Sequence, residues 1–205
     1  MRRGTLICFI GVDGSGKTTL ARSLERHLKD SGKSCKYIWC GWRGFESFLF
    51  KPIVKIIKKI IYNSGKYGPN PKTNVNTLSY FALVDYLLRV LPDVFLSLCR
   101  YDYVIADRYI YDVSVGFSSL RGKSKTNLFK RIFWLFPKPD IVFFIDIPEH
   151  IAYTRKGDVP SVDYLAKQRA MYLKLIEEYD IRVLDGTKSK EELLNVVKME
   201  VTKNG

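Results

Sequence analysis

The sequence lacks the features that define several large classes of protein. It has no run of about eighteen apolar residues, the length that a membrane-spanning helix needs. It has only two histidines and no C-x-x-C pair, so it does not predict a zinc site. Its four cysteines predict reduced thiols in a cytoplasmic protein. No low-complexity stretch predicts disorder.

The composition fits one folded domain. The chain has 205 residues, 46% of them hydrophobic and 27% charged, so a substantial core can form. We therefore expect a single domain over residues 1–205. The formal net charge of +13 fits a protein that binds nucleic acid or an anionic membrane, and equally an enzyme whose substrates are polyanions.

Short apolar strands alternate with helical patterns along the chain. The strand patterns cover 5–10, 34–40, 103–106, 141–147 and 181–184. The helical patterns cover 17–28, 48–62, 74–91, 127–135, 148–153, 162–179 and 190–201. This alternation predicts an α/β fold of three layers, a parallel sheet with helices on both faces.

A glycine-rich loop follows the first strand. Residues Gly11 to Thr18 match the pattern G-x-x-x-x-G-K-[ST], whose main-chain N–H groups cradle phosphates. In this pattern Lys17 reaches the β- and γ-phosphates, and the Thr18 hydroxyl is a ligand of Mg²⁺. The sequence thus predicts a site for ATP and Mg²⁺. The predicted nucleotide-binding residues of the loop are Gly11, Asp13, Gly14, Ser15, Gly16, Lys17, Thr18 and Thr19.

Phosphate loops serve GTPases, motors and kinases, and the rest of the sequence favours a kinase. The base-reading N-K-x-D motif of GTPases is absent, and so is the strand ending in adjacent acids that is usual in motors. One acid, Asp107, instead follows the strand at 103–106, at the end where α/β sheets bind ligands. Asp107 can hold Mg²⁺ or orient an acceptor, and Arg108 can hold a second anion.

Five stretches together resemble the thymidylate kinase family, and they span nearly the whole chain. They are FIGVDGSGKTTL from Phe9 to Leu20, Asp107-Arg108-Tyr109, the segment from Pro139 to Arg155, Gln168-Arg169-Ala170-Met171-Tyr172, and Leu184-Asp185-Gly186-Thr187. The resemblance implies the fold of P-loop nucleotide kinases with a short lid at about 155–162, ATP and Mg²⁺ as cofactors, nucleotide substrates, and a homodimer. It implies no requirement for nucleic acid.

The resemblance also implies roles on the ATP side. Arg155 is the first residue of the lid, and Ser15 stands where some family members carry an arginine in the loop. Members without that arginine draw a cation for the transition state from the lid. Arg155, or Lys156 beside it, is therefore the candidate. Gly186 and Thr187 would lie near the adenine.

On the acceptor side, the resemblance implies two arginines and one acid. Arg43 and Arg108 would hold the acceptor phosphate, and Asp13 would approach the sugar hydroxyl of a nucleoside monophosphate. Together with the residues above, this gives the predicted catalytic set. Its members are Lys17, Asp107, Arg108 and Arg155.

The sequence departs from the family where the acceptor base would bind. The turn after the second strand reads Trp42-Arg43-Gly44-Phe45, where the family has Arg-Glu-Pro-Gly. Tyr86 follows Asp85 where the family has an arginine, and the glutamine beyond the Asp-Arg motif is missing. Phe81, Tyr86 or Arg89 could line a base pocket. Thymidylate is the default acceptor, with another nucleoside, nucleotide or small molecule as the alternative.

A basic helical insertion lies at about 45–72. Its isoleucines alternate with lysines in an amphipathic pattern. Such a segment can be a solvated helix face over a core, a surface for membrane or nucleic acid, or a region that gathers anionic substrates. Together with the net charge, it leaves a third possibility open, a P-loop ATPase that acts on nucleic acid or membranes.

Overall fold

A five-stranded parallel sheet forms the centre of the protein. The computed structural model describes residues 3–41, 52, 75–121, 133–156 and 159–204. The strands are β1 Thr5–Ile10, β2 Cys35–Trp39, β3 Tyr103–Asp107, β4 Ile141–Asp146 and β5 Arg182–Asp185. Their order in the sheet is β2-β3-β1-β4-β5, and each neighbouring pair is parallel. The predicted sheet is confirmed.

Helices connect the strands in the described part of the chain. They are α1 Lys17–Asp30, α2 Val75–Arg100, α3 Ile110–Arg121, α4 Glu149–Arg155, α5 Val162–Glu178 and α6 Lys190–Asn204. Two of them differ strongly from the sequence prediction, while the limits of the other four move by at most three residues. Helix α2 continues nine residues beyond Leu91 and carries Pro92 inside it, and α3 was not predicted at all. The predicted helix at 48–62, residue 52 apart, and residues 127–132 of the one at 127–135 lie outside the described residues.

The core lies on both faces of β1, where residues 6–10 have no solvent exposure. Ile7 and Phe9 face a cluster that includes α1 and α6, with Leu24 and Val197 fully buried in it. In the same cluster Phe143 of β4 stacks on Phe9, with ring centres 5.4 Å apart. Burial on both faces explains why this strand is continuously apolar rather than alternating.

Helices α3 and α5 pack against each other, and Tyr172 of α5 stacks on Phe144 of β4 with ring centres 5.3 Å apart. Phe144 and Phe143 are neighbours on one strand, so their side chains point to opposite faces of the sheet. Tyr172 therefore covers the face opposite the one that α1 and α6 cover. The three-layer arrangement is confirmed.

Residue contacts divide the chain into two compact units. One unit comprises Met1–Gly41 and Val94–Gly205, and the other comprises Trp42–Asp93. The expectation of one domain over the whole chain stays a prediction. Among the described residues, no helix is both long and apolar enough to cross a bilayer. All four cysteines are free thiols.

Candidate active site

The carboxyl ends of the strands carry the predicted site residues to one edge of the sheet. The phosphate loop follows β1, and Asp107 and Arg108 stand at the end of the neighbouring strand β3. Asp107 lies opposite Phe9 in the register of this strand pair. On the other side of β1, Asp146 of β4 lies opposite Asp185 of β5, which precedes Gly186. Because the strands are parallel, residues at the carboxyl ends of four strands lie at one edge of the sheet.

The phosphate loop needs glycine at Gly14 for two reasons. Gly14 has a φ of 86°, in the left-handed region that side chains disfavour. A Cβ atom there would also lie 2.3 Å from the main-chain oxygen of Ala152 in α4. Helix α4 therefore packs directly against the loop. Helix α1 begins at Lys17, directly after the loop, with Gly16 as its N-cap, so the positive end of the helix dipole faces the phosphate position.

The Lys17 ammonium group is buried within its own loop. Its Nζ atom donates to the main-chain oxygens of Gly11 at 2.8 Å and Val12 at 2.6 Å, and only 3% of the residue is exposed. Burial, together with the positive charge of Arg108, lowers the pKa of Lys17 from its usual 10.5 to about 8. Bound phosphates would compensate this charge.

Asp107 presents one free carboxylate oxygen beside the loop. Its Oδ2 atom accepts hydrogen bonds from the Thr18 hydroxyl and the Tyr37 hydroxyl, both at 2.6 Å. Its Oδ1 atom is buried and accepts no hydrogen bond from any described residue. A buried carboxylate oxygen without a donor is costly, and a cation satisfies it. The pair Thr18 and Asp107 therefore fits the oxygen-ligand chemistry of Mg²⁺.

Tyr37 is a site residue that the sequence did not reveal. It lies on β2, and the Arg22 guanidinium stacks on its ring, 3.4 Å from the ring centre. The ring is fixed on one side by this cation and at its hydroxyl by Asp107. Only the pairing of β2 with β3 brings Tyr37 to Asp107, so no local signal in the sequence could have identified it.

Arg108 lies between two carboxylates. Its Nη2 atom forms an ion pair with Asp13 of the phosphate loop, and its Nη1 atom lies 3.9 Å from Asp112 in the first turn of α3. Burial disfavours the guanidinium, but Asp112 and Asp13 outweigh it and hold the pKa of Arg108 above its usual value. Arg108 has a φ of 66°, the one positive value among described residues other than glycine. That conformation costs about 1 kcal/mol, so the surroundings must hold it in place.

Asp112 is the second residue that the sequence did not assign. Its Oδ1 atom accepts a hydrogen bond from the Tyr172 hydroxyl at 2.7 Å, and its Oδ2 atom accepts one from the Tyr109 main-chain N–H at 3.2 Å. Burial raises the pKa of the Asp112 carboxyl, while the positive charges of Arg108 and Lys17 oppose the rise. Asp13, Arg108, Asp112 and Tyr172 thus form one connected network.

A cleft of about 450 Å³ opens beside the loop on the β4 and β5 side. Its lining joins the phosphate loop to the predicted lid and to the turn after β5. The lining residues are Gly14, Ser15, Gly16, Thr19, Leu20, Arg155, Lys156, Gly186, Lys188, Lys190 and Leu193. Five of these carry hydrophobic or no side chains while four are cations, a combination suited to a nucleotide with its phosphates.

The two lid cations contact different partners. Arg155 donates to the main-chain oxygen of Gly186 at 3.3 Å, and Lys156 Nζ lies 3.5 Å from the Asp13 carboxylate. A Cβ atom at Gly186 would lie 2.8 Å from the main-chain oxygen of Asp146, so only glycine allows this close approach to β4. Thr187 does not line the cleft, and its N–H and hydroxyl groups bond to Asp185 instead.

A fixed ion pair supports the same edge of the sheet. Arg169 of α5 binds Asp146 at the end of β4 through two hydrogen bonds, with Nε at 2.6 Å from Oδ1 and Nη2 at 2.9 Å from Oδ2. This bidentate geometry ties α5 to the strand that Gly186 approaches. The motif containing Arg169 carried the family resemblance, but no role for this residue was predicted.

The acceptor-side residues are only partly described. Arg43, the lid residues 157–158, the insertion apart from residue 52 and the Phe81 side chain lie outside the described residues. Tyr86 is fully buried, with the Arg89 guanidinium 5.8 Å from the centre of its ring. The roles assigned to these residues, and to the other site residues, stay predictions.

The sheet order, the phosphate loop and its flanking cations define an α/β kinase of the P-loop type. The thymidylate kinase family model matches residues 9–197. The chain belongs to the thymidylate kinase family, and it is a kinase.

Individual relatives match over almost the full length of both chains. A probable thymidylate kinase 1 of Saccharolobus solfataricus is 32% identical, covering 97% of this chain and 97% of its own. A probable thymidylate kinase of Methanocaldococcus jannaschii is 32% identical, covering 93% and 92%. A thymidylate kinase of Ligilactobacillus salivarius is 28% identical, covering 94% of each.

Proposed function

We propose that this enzyme transfers the γ-phosphoryl group of ATP to dTMP and forms dTDP and ADP. The observation that carries the proposal is the placement of Arg108, a second cationic centre, directly beside the phosphate loop through its ion pair with Asp13. A nucleotide hydrolase needs one anion site, whereas a nucleotide kinase needs two that face each other. The family assignment and the names of the relatives supply the acceptor.

The ATP side is formed by the cleft beside the loop. Lys17 and the main-chain N–H groups of the loop would bind the β- and γ-phosphates. Arg155 lines this cleft and would supply positive charge to the transferring group. Lys156, which also lines it, lies within ion-pair distance of Asp13 and is the alternative cation.

Thr18 and Asp107 would hold Mg²⁺, and the ion supplies neutralising charge to the phosphoryl oxygens. The buried Oδ1 atom of Asp107, with no hydrogen bond from any described residue, supports this assignment. Tyr37 and Thr18 fix the other oxygen, so the carboxylate is already oriented before the ion arrives.

The acceptor side is centred on Arg108, which would hold the dTMP phosphate, with Asp13 close to the sugar. Arg43 is proposed as a second phosphate ligand, and Phe81 or Tyr86 as base contacts, on the family resemblance alone. In the reaction, an oxygen of the acceptor phosphate forms a bond to the γ-phosphorus while the bond to the β–γ bridging oxygen breaks. Catalysis then consists of alignment and charge neutralisation, to which Lys17, Arg108 and Arg155 would contribute.

A homodimer in the cytoplasm is part of the same proposal. Helix α2 leaves Phe95 60% exposed and Leu96 50% exposed, and large apolar side chains exposed side by side suit an interface. Four free thiols suit a reducing compartment. Light scattering on the purified protein measures the molar mass, and a monomer at micromolar concentration would contradict the dimer.

An acceptor panel tests the proposed reaction. The protein is incubated with ATP and Mg²⁺ together with dTMP, other nucleoside monophosphates, nucleosides, or no acceptor, and products are separated by ion-exchange chromatography. We expect dTDP and ADP in equal amounts with dTMP, and little ADP without an acceptor. Turnover of a different acceptor and not of dTMP would move the enzyme to another substrate within the same fold. ADP release that requires added DNA or anionic vesicles would instead indicate an ATPase.

A further inference from the structure

Asp112 has no part in the reaction as described so far, although it lies in the network around Arg108. We propose that Asp112 is a positioning residue that holds the Arg108 guanidinium in place for the acceptor phosphate. Asp112 acts on Nη1 while Asp13 acts on Nη2. The inference rests on the proposed acceptor role of Arg108.

The Asp112 carboxylate is itself fixed. Its side chain is 5% exposed, and its two oxygens accept hydrogen bonds from the Tyr172 hydroxyl and the Tyr109 N–H. Tyr172 is fixed in turn by its stacking on Phe144. A buried carboxylate whose two oxygens both accept hydrogen bonds has a fixed position, so it can hold a neighbouring cation in one place.

Asp13 alone does not fix the Arg108 guanidinium, because Asp13 has a second cationic partner. Lys156 Nζ lies 3.5 Å from the same Oδ1 atom of Asp13 that Arg108 binds. The arginine side chain is also long and loses much rotamer freedom when it is fixed in one position. Asp112 pairs with Nη1, a different nitrogen from the one that binds Asp13. It therefore keeps the guanidinium in position when the Asp13 side chain moves toward Lys156.

A purely structural role for Asp112 gives different expectations. As the third residue of α3, Asp112 accepts from the N–H of Tyr109 at the start of the helix, which is half of a capping box. A cap stabilises the helix whether or not Arg108 is present. Asparagine keeps one oxygen that can accept from the Tyr109 N–H, and its NH2 group can donate to the Tyr172 hydroxyl. The substitution therefore keeps the cap and the contact with Tyr172 but removes the charge, so Asp112→Asn separates the two roles.

The kinetic test is a double-mutant cycle between Asp112→Asn and Arg108→Ala, read as KM for dTMP and KM for ATP. We expect Asp112→Asn to raise KM for dTMP about tenfold, the usual scale for losing a supporting partner, with KM for ATP changed less than about twofold. In the Arg108→Ala background, Asp112→Asn should not raise KM for dTMP any further. The inference is overturned if Asp112→Asn raises KM for dTMP and KM for ATP equally. It is also overturned if Asp112→Asn raises KM for dTMP by the same factor in the Arg108→Ala background. Asp163→Asn, an exposed acid in the first turn of α5, is the matched control.

A second cycle needs no substrate and uses urea unfolding midpoints of the same four proteins. With Arg108 present, Asp112→Asn should lower the midpoint because the guanidinium loses a partner. With Arg108→Ala, it should leave the midpoint unchanged or raise it, because it removes a buried charge that has lost its nearest cation. Equal shifts in both backgrounds overturn the inference. The wild-type protein could fail to phosphorylate dTMP while the midpoint shift of Asp112→Asn still depends on Arg108. In that case the acceptor proposal fails and the pairing of Asp112 with Arg108 stands.

Discussion

Replacing Lys17 with methionine should change how the stability of the ligand-free protein depends on pH. Lys17 is enclosed in the phosphate loop, where burial and the charge of Arg108 lower its pKa from 10.5 to about 8. The folded protein therefore binds a proton at Lys17 less readily than the unfolded chain. Between pH 8 and 10.5 the unfolded chain holds more protons, so wild-type stability rises with pH through this window. Methionine has a similar length and no charge, so it removes this dependence.

The size of the effect follows from the pKa difference. Each unit of pKa shift corresponds to about 1.4 kcal/mol. Full titration of Lys17 would thus change the free energy of unfolding by about 3 kcal/mol. Between about pH 7 and pH 9.5, where Lys17 titrates in the folded protein but little in the unfolded chain, the change is about 2 kcal/mol. Lys17 is 3% exposed, so solvent screening reduces this figure little.

The assay is urea unfolding of both proteins without nucleotide and with EDTA, at several pH values across that range. Titrating groups on which the Lys17 charge does not act are common to both proteins and cancel in the difference. The wild type should gain about 2 kcal/mol relative to Lys17→Met as the pH rises, while the variant has no kinase activity at any pH. Parallel stability curves would refute the argument, because they would mean that Lys17 titrates normally in the folded state.

Two further substitutions test the loop and the carboxylate beside it. Gly14→Ala should lower ADP affinity more than tenfold and reduce the melting temperature, because its Cβ would lie 2.3 Å from the Ala152 main-chain oxygen. Gly116→Ala, whose Cβ would meet no atom of the described residues within 4 Å beyond its own helix backbone and chain neighbours, should leave both quantities unchanged. Equal loss in both variants would contradict the packing argument. Tyr37→Phe removes one of two donors to Asp107 and should raise severalfold the Mg²⁺ concentration that half-saturates nucleotide binding, measured by calorimetry. An unchanged Mg²⁺ midpoint, or an equal shift in the control Tyr103→Phe, would contradict it.

The sheet could be predicted from the sequence because its signals are local. Buried parallel strands are continuous apolar runs, and the loop at Gly11 to Thr18 marks the end of the first one. The structure moves the strand limits by at most one residue. Helix α3 has no such signal, since Ile110, Tyr111, Val113, Val115 and Gly116 are poor helix formers. Packing against α5 and the Asp112 cap decide its conformation.

Proline misled the prediction at the end of α2. A proline inside a helical pattern usually ends the helix, but α2 continues through Pro92 to Arg100. Val90, Val94 and Leu98 are all buried and recur every four residues, so one apolar stripe continues past the proline. Burial of that stripe outweighs the hydrogen bond that proline cannot donate.

The contacts that matter most in the site join residues far apart in sequence. Arg108 meets Asp13 across 95 positions, and Tyr172 meets Asp112 across 60. The phosphate-loop pattern, the end of the strand at 103–106 and the family resemblance indicated that Asp13 and Arg108 belong to the site, but not that they pair. Tyr37 and Asp112 carried no signal, because a tyrosine in a strand and an acid in a first helical turn are both ordinary features of folded domains.

The order of the strands explains how one loop can serve two anionic substrates. The chain places β3 on one side of β1 and β4 on the other, so the connections leave the sheet in opposite directions at the phosphate loop. Asp107 and Arg108 come from the β3 side, while Arg155 and Gly186 come from the β4 and β5 side. A donor nucleotide and an acceptor phosphate would therefore approach the loop from different sides. Each side brings its own cations, so the two anions need not compete for Lys17. This division accounts for the arrangement of positive charge at the edge of the sheet better than a single nucleotide site does.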